Sequence, residues 1–256
     1  MIGLFDSGLG GLTVLRRLRE WLPDADVLYF ADQANVPYGD RSAGEIQMFL
    51  RENVAWLEKH GCEAIVMACN TSCAIAATYG WPRARARIFD LIDAGARDVA
   101  ARGYRRVAVV ATVATVRAGA YAAAIAHAGS RAEVREIAAP ALVPLVEARA
   151  DAREVERAVS DVCANLDGSI DALVYGCTHY PLIDDAFARV LGARVERIDP
   201  AVAQAANVAL ATRGTRLAAG RGATEYATSG ALQPFALRVG EAGSAADPKV
   251  FRASRV

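Results

Sequence analysis

Ile65-Val66-Met67-Ala68-Cys69-Asn70-Thr71 is an apolar run that ends on a thiol and two polar side chains. The apolar part reads as a short strand buried on both faces. The polar residues open a helix at Asn70 or Thr71, which Gly80 and Pro82 end. A second stretch repeats the pattern: Leu173-Val174-Tyr175-Gly176-Cys177-Thr178-His179. The two cysteines lie 108 residues apart (177 − 69). Matched thiols at strand ends suggest two acid/base groups on opposite sides of one small substrate.

Outward from Cys69, short apolar runs alternate with longer amphipathic segments. Strands are expected at Ile2-Gly3-Leu4-Phe5, Val27-Leu28-Tyr29-Phe30 and over 65–68, with helices over 12–22 and 42–60. This is the βαβ rhythm of an open parallel sheet. It restarts near residue 105, with strands over 107–110, 134–137 and 173–175 and helices over 118–128 and 155–166. Laying Ile2 on Val107 needs an offset of 105 (107 − 2) and puts Ser7 on Thr112. Laying Cys69 on Cys177 needs 108. The expected fold is therefore α/β, with two similar open parallel-sheet halves related by pseudo-symmetry. The tail after Asp199-Pro200 carries a helix over 202–213 and a strand over 225–228. It is too small for a domain of its own and is expected to return to the first half. Residues after Gly240 read as loosely ordered. The domains are then 1–93 plus 200–256, and 94–199. Ligands of open parallel sheets bind at the carboxyl ends of strands, where Asp6, Ser7, Asp32, Cys69, Thr112 and Cys177 all fall. Facing halves would gather them around one cleft.

Composition narrows the function. With 256 residues and 54% hydrophobic content, the chain has ample material for a core. A formal net charge of zero argues against nucleic acid or an anionic membrane as the main partner. No apolar stretch is long enough to span a bilayer, and no signal-peptide pattern opens the sequence. The five cysteines include no Cys-x-x-Cys pair, and the three histidines are scattered, so neither a disulfide framework nor a zinc site is expected. A reducing cytoplasm with free thiols fits best.

Each candidate residue has a plainer reading beside the chemical one. A helix N-terminus next to Cys69 would stabilise a thiolate and bind a carboxylate, yet a free cysteine is often only a small packing residue. Cys177 has His179 two residues on, an imidazole able to tune a thiol or shuttle its proton. Cys73, four residues after Cys69, shares its helix face, but no third ligand supports a metal. The turn Asp6-Ser7-Gly8-Leu9-Gly10-Gly11 with Asp32 nearly matches a dinucleotide fingerprint. Against that, the third glycine is absent and Asp6 would repel a pyrophosphate. Pro37-Tyr38-Gly39 is a rigid turn whose phenol could close over a ligand.

Five segments in order carry a resemblance: residues 2–12, 29–32, Val36-Pro37-Tyr38-Gly39, Ala68-Cys69-Asn70-Thr71 and Gly176-Cys177-Thr178-His179-Tyr180-Pro181-Leu182. Together they closely resemble glutamate racemase, within the cofactor-independent aspartate/glutamate racemase superfamily. The resemblance implies two α/β domains with the active site between them. It implies interconversion of L- and D-glutamate for peptidoglycan synthesis, with no cofactor and usually as a homodimer. It implies that Cys69 takes the α-proton of the D-isomer and Cys177 that of the L-isomer, assisted by Asp6 and His179 respectively. The substrate-binding positions it implies are Asp6, Ser7, Pro37, Tyr38, Gly39, Asn70, Thr71, Thr112, Thr115, Thr178 and His179, with Glu147 as a further acid near the histidine. The chain departs from the family pattern at Ala111, Ala118 and Ala139, and lacks the proline expected near Asp93-Ala94. Three alternatives stand beside this reading: a racemase for aspartate, a nucleotide-dependent oxidoreductase, and a non-catalytic amino-acid-binding protein. Of the two lysines, Lys59 adjoins a helix end and Lys249 lies in the tail, so neither suits a Schiff base to pyridoxal phosphate.

Overall fold

The computed structural model describes residues 1–164, 166, 170–241 and 249–253. The first half runs β1 (Ile2–Asp6), α1 (Gly11–Trp21), β2 (Val27–Ala31), α2 (Ala43–Lys59), β3 (Ala64–Met67), α3 (Asn70–Tyr79) and β4 (Arg87–Asp90). Helix α4 (Leu91–Arg102) leads into the second half: β5 (Arg106–Ala111), α5 (Val113–Ala118), α6 (Ala120–His127), β6 (Glu133–Ala138), α7 (Leu142–Glu147), α8 (Ala152–Cys163), β7 (Ala172–Gly176), α9 (Asp184–Leu191) and β8 (Glu196–Ile198). The tail adds α10 (Pro200–Thr212), β9 (Thr224–Thr228), α11 (Leu232–Glu241) and β10 (Lys249–Arg252).

These elements form two parallel sheets, ordered β10-β9-β2-β1-β3-β4 and β6-β5-β7-β8. The order β2-β1-β3-β4 is repeated by β6-β5-β7-β8. The register repeats as well. Ile2 pairs with Ala64, and Val107 pairs with Ala172, at offsets of 105 (107 − 2) and 108 (172 − 64). Those offsets are the ones the sequence suggested, so the halves match strand for strand.

Central strands β1, β2, β3 and β7 are buried along their whole length, because helices cover both faces. Burial of each large apolar side chain contributes about 1.5–3 kcal/mol. On β5, Val107, Val109 and Ala111 join the core of the first sheet, while Ala108 and Val110 face a second cluster with Leu173 and Tyr175. One continuous apolar core thus reaches from the first sheet onto one face of the second. Helix α2 starts at a full capping box: the Glu45 N–H donates to Ser42 Oγ and the Ser42 N–H to Glu45 Oε2.

Three local expectations change. The helix expected over 118–128 is α6, starting at Ala120, and a further short helix, α5, precedes it; Gly119 at φ 60° ends α5 before α6 begins. The residues after Gly240 are not uniformly loose: Lys249–Arg252 pair in parallel with β9. Residues 242–248 and 254–256 lie outside the described residues. The tail also serves both halves. β9 and β10 extend the first sheet, whereas Arg238 of α11 donates to the Glu147 carbonyl at the end of α7, and Arg149 pairs with Glu241.

Candidate active site

The carboxyl ends of β1, β3, β5 and β7 converge, and with them the loops that carry the two cysteines. Cys69 occupies the N-cap position of α3 and makes no side-chain capping bond. Its Sγ lies 3.6 Å from Ser7 Oγ. Burial pushes the Cys69 thiol up to about 11 and the Asp6 charge adds to this, while the hydroxyls of Ser72 and Ser7 and the Ser72 N–H act in the opposite sense. Asp6 is itself buried and accepts from the N–H groups of Gly8 (2.9 Å) and Gly11 (3.0 Å). Burial raises its carboxyl above the usual range, opposed by the His179 charge and those N–H bonds.

Cys177 is held differently. A 3-10 turn over Tyr180–Ile183 follows it rather than an immediate α-helix. Its Sγ lies 3.7 Å from His179 Nδ1, and His179 Nε2 lies 2.7 Å from Glu147 Oε1. Burial alone would lower the imidazole, but its bonds to Cys177 and Glu147 and the charges of Cys177 and Asp6 outweigh it, pushing His179 up to about 10. Glu147 is held below its ordinary value first by the His179 bond, with burial opposing. Its side chain remains 41% exposed. A cavity of about 1050 Å³ borders Glu147 and His179 but neither cysteine.

The glycine turn has a use other than a phosphate cradle. A Cβ on Gly10 would stand 2.2 Å from Thr178 Oγ1 and 2.7 Å from His179 Nδ1. The glycine therefore lets the first half approach the Cys177 loop. Thr13 Oγ1, on the same turn of α1, lies 3.1 Å from the Thr178 carbonyl. Asp32 does not stand ready for a ribose. It is fully buried, and its carboxylate accepts from Tyr38, Asn35, Asn53 and Ser229. The dinucleotide reading fails on both residues that suggested it.

The other candidates fall into place around these loops. Thr71 Oγ1 and Thr112 Oγ1 are 2.9 Å apart, as are Thr112 Oγ1 and Thr115 Oγ1, so three hydroxyls join the halves. Thr112 also caps α5 through the Thr115 N–H. Asn70 and Thr178 are buried beside their cysteines. Pro37 is exposed and follows a cis bond from Val36; Tyr38 behind it is buried, and its hydroxyl donates to Asp32 at 2.6 Å. Gly39 lies against Thr112, where a Cβ would come 3.4 Å from the threonine Cβ. Cys73 instead donates to the Met67 carbonyl within the first half.

Thr13, Tyr121, Asn53 and Ser229 were not singled out from the sequence. Asn53 had a readable signal, being a polar residue on the inward face of α2 with Ile46, Phe49, Leu50 and Leu57. The others reach the site only through tertiary contacts.

Known proteins share this fold. The family profile described as Asp/Glu/Hydantoin racemase matches residues 2–208. A glutamate racemase from Gloeobacter violaceus is 44% identical over 92% of this chain and 89% of its own. The crystal structure of a Bacillus anthracis glutamate racemase superposes with a TM-score of 0.88 at 29% identity, covering 99% of this chain and 97% of the other. A Francisella tularensis glutamate racemase in complex with D-glutamate superposes at 0.84 with 28% identity, over 99% and 97%. With the profile spanning both cysteine loops and the relatives matching nearly end to end, the chain belongs to the Asp/Glu/Hydantoin racemase family.

Proposed function

We propose that this chain interconverts L- and D-glutamate by proton transfer between Cys69 and Cys177, without a cofactor, and so supplies D-glutamate for peptidoglycan synthesis. The observation that carries the reading is the placement of one thiol at the same strand end of each repeated half. The names of the relatives supply glutamate as the substrate.

The chemistry follows from what surrounds each sulfur. A thiolate on one face of the substrate removes the α-proton, and the pair of electrons stays on Cα. A thiol on the other face delivers its proton to that carbon, leaving the configuration inverted and the two sulfurs exchanged in state. Thiols suit both roles because their ordinary pKa of about 8.5 lies near neutrality. We assign Cys69 to the D-isomer with Asp6 as its partner, and Cys177 to the L-isomer with His179. The His179 imidazole, 3.7 Å from the Cys177 sulfur, stands where it can pass a proton to or from that thiol. The uncapped N-terminus of α3 offers N–H groups and positive potential to the substrate carboxylate, which lowers the cost of the carbanion.

We assign substrate contacts to Ser7, Asn70, Thr71, Thr112, Thr115 and Thr178, with Tyr38 and Gly39 closing the cleft beside Pro37. The division into domains 1–93 plus 200–256 and 94–199 is part of the same reading, supported by β9 and β10 lying in the first sheet. So are a homodimer and a cytoplasmic location. All five cysteines are unpaired and buried, as a reducing compartment allows, and light scattering of the purified chain tests the dimer.

Circular dichroism of L-glutamate incubated with the purified chain, with no added cofactor, should decay to zero. A parallel incubation with L-aspartate should leave the signal standing. Decay with aspartate alone would replace the substrate, and decay with neither would sink the racemase reading.

A further inference from the structure

Two buried hydrogen bonds cross between the halves at the cysteine loops, and the repeat relates them. Thr13 lies in the first turn of α1, the helix that follows β1. Its hydroxyl proton is shared between the carbonyls of Gly10 (2.8 Å) and Thr178 (3.1 Å). Thr178 separates Cys177 from His179. Tyr121 lies in the first turn of α6, in the helical segment that follows β5. Its hydroxyl donates to Asn70 Oδ1 at 2.6 Å, and Asn70 adjoins Cys69. In each half, then, a helix between the first strand and the next, α1 or α6, grips the cysteine loop of the other half.

Both grips are built rather than incidental. Gly10 lacks a side chain where one would collide with Thr178 and His179, so the start of α1 lies directly against the Cys177 loop. Tyr121 is fully buried, and burial keeps its phenol protonated and therefore a donor. A donor on Oδ1 fixes which end of the Asn70 amide faces Tyr121. The opposite end, Nδ2, is buried and has no partner among the described residues. An amide held in this way presents its N–H groups to a substrate beside Cys69.

We propose that Thr13 and Tyr121 are reciprocal positioning residues: Thr13 sets the reach of Cys177 to the α-carbon, and Tyr121 sets that of the Cys69 side. This rests on the two-thiol reading above. Enantiomers have equal free energy, so kcat/KM must be equal in the two directions for every variant. A lesion on one side therefore cannot be seen in that ratio. It is visible in which proton transfer limits the rate. Deuterium at Cα is removed by Cys177 from the L-isomer and by Cys69 from the D-isomer, so the substrate isotope effect reports each transfer separately.

The experiment measures kcat/KM for α-protonated and α-deuterated L- and D-glutamate with the wild type, Thr13→Val, Thr13→Ser and Tyr121→Phe. Thr13→Val and Tyr121→Phe should each lose about tenfold, the effect of one hydrogen bond on a transition state. In Thr13→Val the isotope effect should rise for L-glutamate and fall toward one for D-glutamate. Tyr121→Phe should show the reverse, and Thr13→Ser should resemble the wild type in both. Isotope effects that move in the same sense in both variants, or not at all, overturn the proposal, as does Thr13→Ser behaving like Thr13→Val. Lower Tm values without the opposed isotope pattern also count against it. A wild type that leaves glutamate unracemised overturns the two-thiol reading and the tether with it; a racemising wild type without the opposed pattern overturns the tether alone.

Discussion

The Cys69 loop and the Cys177 loop sit at the same place in a repeated topology, with the same strand register, yet they handle charge in opposite ways. Cys69 stands at the N-terminus of a ten-residue helix, near the buried carboxyl of Asp6 and the hydroxyl of Ser7. Cys177 enters a 3-10 turn and has the His179–Glu147 pair behind it. The repeat places one thiol at the same strand end of each half. The difference supplied an acidic neighbour on one side and a basic one on the other. A site that must invert a carbon in both directions needs symmetric reach, not symmetric electrostatics.

The largest effect should come from removing either thiol. Cys69→Ser and Cys177→Ser should each cut racemisation by about 1000-fold or more, the scale of a lost general acid or base. Near-equal damage in the two variants, measured by circular dichroism of glutamate, supports shared work; full activity in either breaks the comparison. Next is the contact between halves. Gly10→Ala puts a methyl 2.2 Å from Thr178 Oγ1 and should displace the Cys177 loop. An ångström-scale misplacement costs about 100-fold in kcat, with a stability loss of about 1–3 kcal/mol from overpacking. Unchanged kcat would mean that the two halves are not locked at this point.

Glu147→Gln should cost about tenfold, as loss of a carboxylate behind a functional histidine commonly does, and it sharpens the electrostatic difference. His179 is raised from 6.5 to about 10, so its stabilising contribution is complete below about pH 6.5 and lost as pH rises through about 10. Without the Glu147 charge the folded value falls, and both the alkaline loss of activity and that of Tm should begin at lower pH. A pH–rate profile and a Tm series check this; an unmoved alkaline limb would mean that Glu147 does not hold the His179 charge. The smallest effect should be at Tyr38→Phe. It deletes the hydrogen bond donated to Asp32 and the one accepted from Asn53, and should cost about 1–2 kcal/mol of stability, with a few-fold rise in KM from a looser cleft wall. A KM that stays constant would make Tyr38 a packing residue only.

The sequence was most legible where burial was complete. Strands covered on both faces read as unbroken apolar runs, so β1, β2, β3, β5 and β7 were all visible. Of the edge strands, β6 was visible, but β4 (Arg87–Asp90) and β8 (Glu196–Ile198) were not, being short, charged and only partly buried. Helix α7 was hidden by Pro144 within six residues, and the six-residue α5 by its brevity and by Gly119, which gave no sign of the positive φ that separates it from α6. In the site, each cysteine and its polar neighbours were adjacent in sequence and could be read together. The Thr13–Thr178 contact spans 165 residues and the Tyr121–Asn70 contact 51. No local pattern encodes such pairs; they exist only once two sheets face each other. Asp32 shows the opposite failure, since its spacing from a glycine turn imitated a cofactor site while its carboxylate anchors a loop network.

The central claim is that two thiols on opposite faces exchange the α-proton of glutamate with solvent. Incubating L-glutamate, and separately D-glutamate, with the chain in deuterated water tests it most directly. The account predicts that product of the inverted hand carries an α-deuteron in both directions, by mass spectrometry after chiral separation. Inverted product that keeps its original α-proton, or no inverted product from either hand, would contradict it.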